Sequence, residues 1–463
     1  MQEEYRIFPF QMALVLFSCI VSALFFLFIL PYNAQYNDSL VILAFCISAL
    51  FLMLITNLCD PRPRPIHLLF CIYMIFFYLL PGYFHTAYAR FPFFQAGYSP
   101  AQVLTASMVV ATFLAFFLIG YGIVLFPRGK RARRAIVPGR LQRAAIFCLI
   151  TGIVCAGSLG FSGFMTTIRD SNLTTQTTGE TATPIKLIIG ALARATSFYG
   201  FMYGIFLLRD DRRLINALVC LSTTALFFTL NSPLAVTRFV IGSYVIGVFI
   251  VLVQFNRPQK LMLAFAFIGA QAGLFSYISY LSRGDLGTAY VWAPLDDFTT
   301  SGDFDGFQST INVTSYHDQL GGKHGVNLAS ALLFFVPRPL WPQKSGGTGG
   351  EAAIFEGYPM WNISSPLPSE FYIDFGFPGV VVLSFIFGML IRLGDDYFLH
   401  FKNTADALGQ VLVATVASYI FIILRGALVA ILGPFAVSLA IATLCHAYVT
   451  APVKEDEDDE SDV

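Results

Sequence analysis

Apolar residues recur along this chain in runs close to twenty long, separated by short polar breaks. A helix rises about 1.5 Å per residue, so each such run matches a hydrocarbon core about 30 Å thick. The pattern predicts an all-α polytopic membrane protein with about twelve transmembrane helices. They are expected at 9–30, 39–58, 66–86, 101–126, 144–160, 185–208, 214–230, 237–255, 261–281, 376–392, 408–424 and 427–449. One stretch breaks the rhythm. Residues 282–375 form a polar island containing SYHDQLGGKHG (315–325), FFVPRPLWPQKSGGTGGEAA (334–353) and WNISSPLPSEFYIDFG (361–376). Inside it, Val326 to Val336 is apolar but too short to span, which predicts a re-entrant or interfacial helix ended by Pro337. Arg338, Trp341 and Lys344 would then lie near the headgroup plane. The chain thus divides into an N-terminal transmembrane bundle (1–281), a large outside loop (282–375), C-terminal transmembrane helices (376–449) and an acidic tail (450–463).

Composition agrees with the pattern: 56% of the 463 residues are hydrophobic, 12% are charged, and 48 are Phe. Formal net charge is zero, yet the charges are segregated. The loop from Arg128 to Arg143 holds seven basic residues, and Arg209, Arg212, Arg213, Arg257 and Lys260 fall on the same side. Basic loops stay cytoplasmic, so both termini are expected there, with EDEDDE (455–460) as a solvated, disordered end. Residues 87–100, the Thr-rich 161–184 and the island are then outside, the second as a mobile flap or interfacial segment. Gln11 to Leu30 reads as a retained first span and no cleavable signal peptide is recognised. The eight cysteines lie in or beside apolar runs and none in the island, which argues against disulfides and zinc spacing.

The candidate chemistry starts with arginines. Arg194 lies inside the sixth span, Arg238 at the outer start of the eighth, Arg283 at the outer end of the ninth and Arg425 at the outer end of the eleventh. Arg338 joins them from the island. An arginine in a span costs about 2.5–3.5 kcal/mol on insertion scales, so it needs a partner or a wet cavity. Several on one side repel one another unless an anion is supplied. Pyrophosphate suits the guanidinium fork; the alternative is that individual arginines snorkel or pair with a carboxylate.

Proton acceptors are available in His317, Asp318, His324, Glu351, Glu356, Glu370 and Asp374. An exposed loop histidine or a structural ion pair is the plainer reading of each. Glu370 and Asp374 are expected just before a span, where either could orient Arg338 or Arg425. Asp303-Phe-Asp305 has the DxD form used to hold divalent metals, yet its flanking glycines suit an acidic turn. Gly346, Gly347, Gly349 and Gly350 could cradle phosphate with backbone N–H groups or serve as a hinge; no GK[ST] follows them. Asn37, Asn172, Asn312 and Asn362 stand in N-x-S/T triplets too common to carry a glycosylation claim.

FFVPRPLWPQK (334–344), the Gly-rich stretch and SSPLPSEFYIDFGFPG (364–379) resemble the bacterial Wzy-type O-antigen polymerases, also called oligosaccharide repeat unit polymerases. Arg425-Gly426 and Arg238 match further recurrent features, so the specific likeness covers about a third of the chain. It implies a metal-independent glycosyltransferase of the bacterial inner membrane with a GT-C-like helical architecture, needing no cofactor. Donor and acceptor would be oligosaccharides on undecaprenyl pyrophosphate, joined at the periplasmic face. Membrane lipids and a chain-length-regulating co-polymerase would be further partners, and nucleic acid would not. Carried over residue by residue, the resemblance selects Arg338, Glu370, Arg238 and Arg425. An Arg followed by ten residues and Gly is met by Arg338 and Gly349, and is missed after Arg169.

Joined with the residue reading, this gives pyrophosphate to Arg238, Arg338 and Arg425, with Arg194, Arg283 and Lys344 beside them. The base is expected among Glu370, His317 and His324. Two rivals share the layout. A transporter or flippase of lipid-linked glycans would place charges along a path through both leaflets. An O-antigen ligase would use the same donor and another acceptor.

Overall fold

In a computed structural model the described residues are 31–93, 97–123, 134–165, 184–232, 236, 238–253, 255–269, 294–360 and 363–452. The predicted first span, residues 270–281 of the ninth, most of the Thr-rich segment and the acidic run lie outside them. Arg283 also lies outside. Among the described residues eight helices are long and apolar enough to cross a membrane, so the chain is an all-α, multi-pass membrane protein.

The helices follow the apolar runs. They are α1 (Asn37–Cys59), α2 (Pro65–Tyr88, with a π-helical turn at Met74–Leu79), α3 (Pro100–Gly122), α4 (Pro138–Leu159) and α5 (Pro184–Asp210). The next three, α6 (Leu214–Leu230), α7 (Arg238–Leu252) and α8 (Arg257–Gly269), are shorter. The island contributes α9 (Pro294–Thr300), α10 (Gly306–Leu320), α11 (Val326–Leu332) and α12 (Thr348–Phe355). The chain then makes α13 (Leu367–Asn403), α14 (Ala407–Arg425) and α15 (Leu428–Val449). Several start with Pro in the first turn, where its missing N–H costs nothing; in α3 a Ser99–Gln102 capping box reinforces that start.

Two apolar cores share α14. Its Val413, Ala414, Ala417 and Leu424 pack with α1, α2 and α3, whereas Leu408 and Val411 pack with α4 and α5. Helices α3 and α13 cross closely. A Cβ at Gly120 would lie 2.0 Å from the Phe385 carbonyl oxygen, and one at Gly388 would lie 2.2 Å from that of Phe117. Small residues let the backbones meet where lipid offers no hydrophobic drive for association.

Three expectations are corrected. The helix predicted over Val326–Val336 stops at Leu332, and residues 333–335 continue as turns, ahead of Pro337. Glu370 and Asp374, expected just before a span, are helical: α13 starts nine residues ahead of residue 376 and passes through Gly376 with a kink (φ 61°, ψ −149°). Strand β1 (Arg134–Ile136) pairs antiparallel with β2 (Thr450–Pro452), Arg134 facing Pro452. Lys260, expected as a loop cation, is fully buried and donates to the carbonyls of Asn57, Asp60 and Arg62 at 2.6–3.0 Å, closing the end of α1.

The island is a packed layer. Along α10, Gln308, Ser309, Thr310, Asn312, Thr314 and Ser315 are all buried. Tyr78 Oη lies 2.6 Å from Thr310 Oγ1, Tyr98 Oη donates to Asn312 Oδ1 at 2.6 Å, and Asn312 Nδ2 donates to Tyr358 Oη at 3.0 Å. The Asn312 triplet is therefore enclosed.

Replacing Gly388 by Ala should cost about 1–3 kcal/mol through overpacking. The check is the thermal midpoint of purified protein: Gly388→Ala should fall clearly, while Gly242→Ala, whose Cβ meets nothing within 4 Å, should match wild type.

Candidate active site

Glu370 and Asp374 stand one turn apart on α13 and hold the same short helix. Asp374 accepts the backbone N–H groups of Asn327 (3.0 Å) and Leu328 (2.7 Å), capping α11 from another element. Glu370 Oε2 accepts from Asn327 Nδ2 at 2.5 Å. Glu370 is only 2% exposed. The Ser365 and Thr348 hydroxyls lie against its carboxylate, yet Glu370 Oε1, Ser365 Oγ and Thr348 Oγ1 all lack a partner in good hydrogen-bond geometry. A carboxylate so enclosed positions loops; it does not reach a substrate hydroxyl in this state.

From Asn327 the network enters the glycine-rich loop. Ser345 Oγ is 3.0 Å from both Asn327 Oδ1 and Glu351 Oε1, and the N–H of Gly346 donates to the same Glu351 oxygen at 3.1 Å. Lys323 pairs with Glu351. Burial lowers the Lys323 pKa, and the charges of Asp374 and Glu370 oppose that shift. The N–H of Gly347 donates to Ser345 Oγ at 3.2 Å, and its φ of 117° is a backbone state that glycine permits. At Gly349 a Cβ would lie 2.6 Å from the Ser364 carbonyl oxygen. These glycines serve close packing and internal bonding.

The basic residues divide by role. Lys344 Nζ donates to the carbonyls of Leu333, Phe334 and Val336 at 2.7–3.2 Å, which uses all three of its donors. Burial, aided by the Arg338 charge, lowers its pKa. Lys344 therefore has no N–H left for pyrophosphate in this state. Arg338 is exposed, and it donates to the carbonyls of Lys344 (3.0 Å) and Ser345 (3.1 Å) through two of its nitrogens. It grips the loop and keeps donors facing outward.

Arg425 ends α14 over the ring of Phe239, 4.4 Å from its centroid, while NH2 donates to the Gly302 carbonyl at 2.9 Å. Asp305 Oδ1 is 3.5 Å from that nitrogen, and Arg425 Nε has no hydrogen-bond partner. Burial raises the Asp305 pKa despite Arg425. Its other oxygen accepts the Ser364 N–H at 2.9 Å, so this member of the DxD pair is enclosed. The Ser365 N–H donates to the Arg425 carbonyl at 3.0 Å, and Ala427 lies against Gly347. The Arg425 turn, the Arg338-held loop and the Glu370 pocket are therefore one contiguous assembly.

Other candidates sit further out. His317 Nδ1 is 3.2 Å from Asp318 Oδ1, which accepts from Tyr372 Oη at 3.0 Å, and the His317 ring contacts Tyr372. Gly322 and Gly376 leave room for that ring. His324 is exposed in a left-handed turn (φ 50°) and donates its backbone N–H to the Asp374 carbonyl. Arg194 stacks on Phe164 within electrostatic range of Tyr244 and Tyr419, and has no carboxylate partner among the described residues. Arg238 opens α7, next to the Phe239 that Arg425 covers.

Asn327, Ser345, Thr348, Ser365 and Phe239 join the site only through the fold. One available signal was Pro-Leu-Pro at 366–368, which reads as a helix start and would have put Glu370 and Asp374 on one face. No protein-family model matches this chain, and no curated protein or solved structure does.

Lys344→Met should strand three carbonyls and loosen 333–345 by about 1–2 kcal/mol, a factor of about 5–30 in local opening. Limited proteolysis should show faster cleavage there, with the thermal midpoint of the bundle little changed.

Proposed function

We propose that this chain is a metal-independent membrane glycosyltransferase of the Wzy type, which extends oligosaccharide repeat units carried on undecaprenyl pyrophosphate. The reading includes a GT-C-like bundle of about twelve spans in the bacterial inner membrane, with cytoplasmic termini and a periplasmic site. The observation that carries it is the Arg425 turn, whose guanidinium is 26% exposed, lies over the Phe239 ring and makes one hydrogen bond among the described residues, to the Gly302 carbonyl, beside the loop that Arg338 grips. Pyrophosphate is a good leaving group, so catalysis needs mainly to hold the charge that develops as the anomeric C–O bond breaks. Fixed arginines do this without reorganising. Arg425, Arg238 and the outward donors of Arg338 take the pyrophosphate, and Arg194 lies deeper, toward the lipid. His317, oriented by Asp318, accepts the proton of the attacking hydroxyl. Glu370 holds the two loops in register.

The test is chain extension by purified protein supplied with lipid-linked repeat units, read as a glycan ladder. Arg425→Lys keeps the charge but loses the planar fork, and should slow extension by about 10²-fold. Arg338→Ala should shorten the ladder with normal protein abundance. Wild-type protein that moves the lipid across proteoliposomes without extending it would favour the transporter reading. Transfer only to a lipid A-core acceptor would favour the ligase.

A further inference from the structure

The end of the bundle opposite Arg425 carries a polar cavity. Helix α14 runs 19 residues from Ala407 to Arg425, about 28 Å, close to the thickness of a hydrocarbon core. Asp406 and Arg425 therefore belong to opposite membrane faces. Beside Asp406 lies a cavity of about 320 Å³ lined by Arg134, His400, Phe401, Thr404, Asp406 and His446. That volume lies within the range of small-ligand pockets.

Its polar groups are fixed before any ligand arrives. Arg134 Nε donates to Thr450 Oγ1 at 2.8 Å, and NH2 donates to the Thr450 carbonyl at 3.2 Å. Thr450 Oγ1 donates in turn to the His446 carbonyl at 2.7 Å. His446 Nε2 is 2.8 Å from Asp406 Oδ2, and Asp406 Oδ1 accepts the N–H of Gly409 at 2.8 Å. Both oxygens of the acid are thus engaged within the protein, whereas the Arg134 NH1 group makes no bond to protein among the described residues. Phe401 supplies an apolar wall 5.7 Å from the His446 ring.

A bound cation would meet the Arg134 charge, and an apolar ligand would strand the polar wall. A phosphate offers charge and several acceptor oxygens to the Arg134 guanidinium, with the His446 imidazole on the same wall. We propose that this cavity binds a phosphate-bearing anion. The same chemistry has two sources at this depth: the headgroup of an anionic lipid, or a free phosphate ester in the aqueous phase. The proposal stands independently of the glycosyltransferase reading, because it uses none of that site's residues.

Full-length protein in phosphatidylcholine nanodiscs provides the test, read as the thermal midpoint with added phosphatidylglycerol or with inorganic phosphate. A ligand that binds only the folded state raises the midpoint. Wild type should respond to one of them, and Arg134→Gln should lose at least half of that shift. Arg213→Gln, an exposed cation at the same end, should retain it. A response confined to phosphatidylglycerol identifies the headgroup; a response to phosphate in phosphatidylcholine discs identifies the free anion. Because Arg134 also ties β1 to Thr450, His446→Gln is measured alongside. No shift in wild type, or a full shift in either folded variant, overturns the proposal.

Discussion

Two carboxylates one turn apart on α13 hold the candidate site together. Asp374 accepts two of the orphan N–H groups of α11, and Glu370 takes the Asn327 side chain of the same helix. Buried acids are tolerated only where donors meet them, so the two fix α11 against α13 as a condition of folding. Everything beyond inherits that placement. Ser345 reads the position of Asn327, Glu351 reads Ser345, and the glycine-rich loop is thereby set against the Arg425 turn.

This anchoring changes what the polar island is. Its central helix α10 is polar along much of its length and still enclosed, because tyrosines from α2, the α2–α3 connection and the α12–α13 connection satisfy its side chains. Hydrophobic burial alone could not select such a helix. A satisfied polar network makes alternative packings expensive, since each misplaced partner strands another. The layer therefore packs as one unit on the membrane helices, and Arg338, His324 and Asp318 are among the polar groups it exposes, beside apolar ones such as Phe335 and Leu340.

The basic residues then separate by the donors they have left. Lys344 is fully used by carbonyls, Arg338 is partly used, and Arg425 is held by one carbonyl, one ring and one distant carboxylate. A residue in the first state shapes a site, and one in the last can still bind an anion. Lys260 repeats the first state at the other membrane face, where it closes the end of α1.

The sequence alone determined the membrane class and the approximate course of the described spans, because helix and bilayer impose a length and a hydropathy that need no partner. It also directed attention to Arg425, Arg338 and Glu370. It could not assign their states. The start of α13 was misplaced because hydropathy follows lipid contact, while the first turns of α13 are buried in protein. The burial of Lys344 and Lys260, the strand pairing of Arg134 with Pro452, and the capping of α11 by Asp374 depend on where backbone carbonyls and N–H groups fall after folding. Many of those partners are distant in sequence, and backbone groups are the same at every position. Only the tertiary structure could decide which of them each side chain meets.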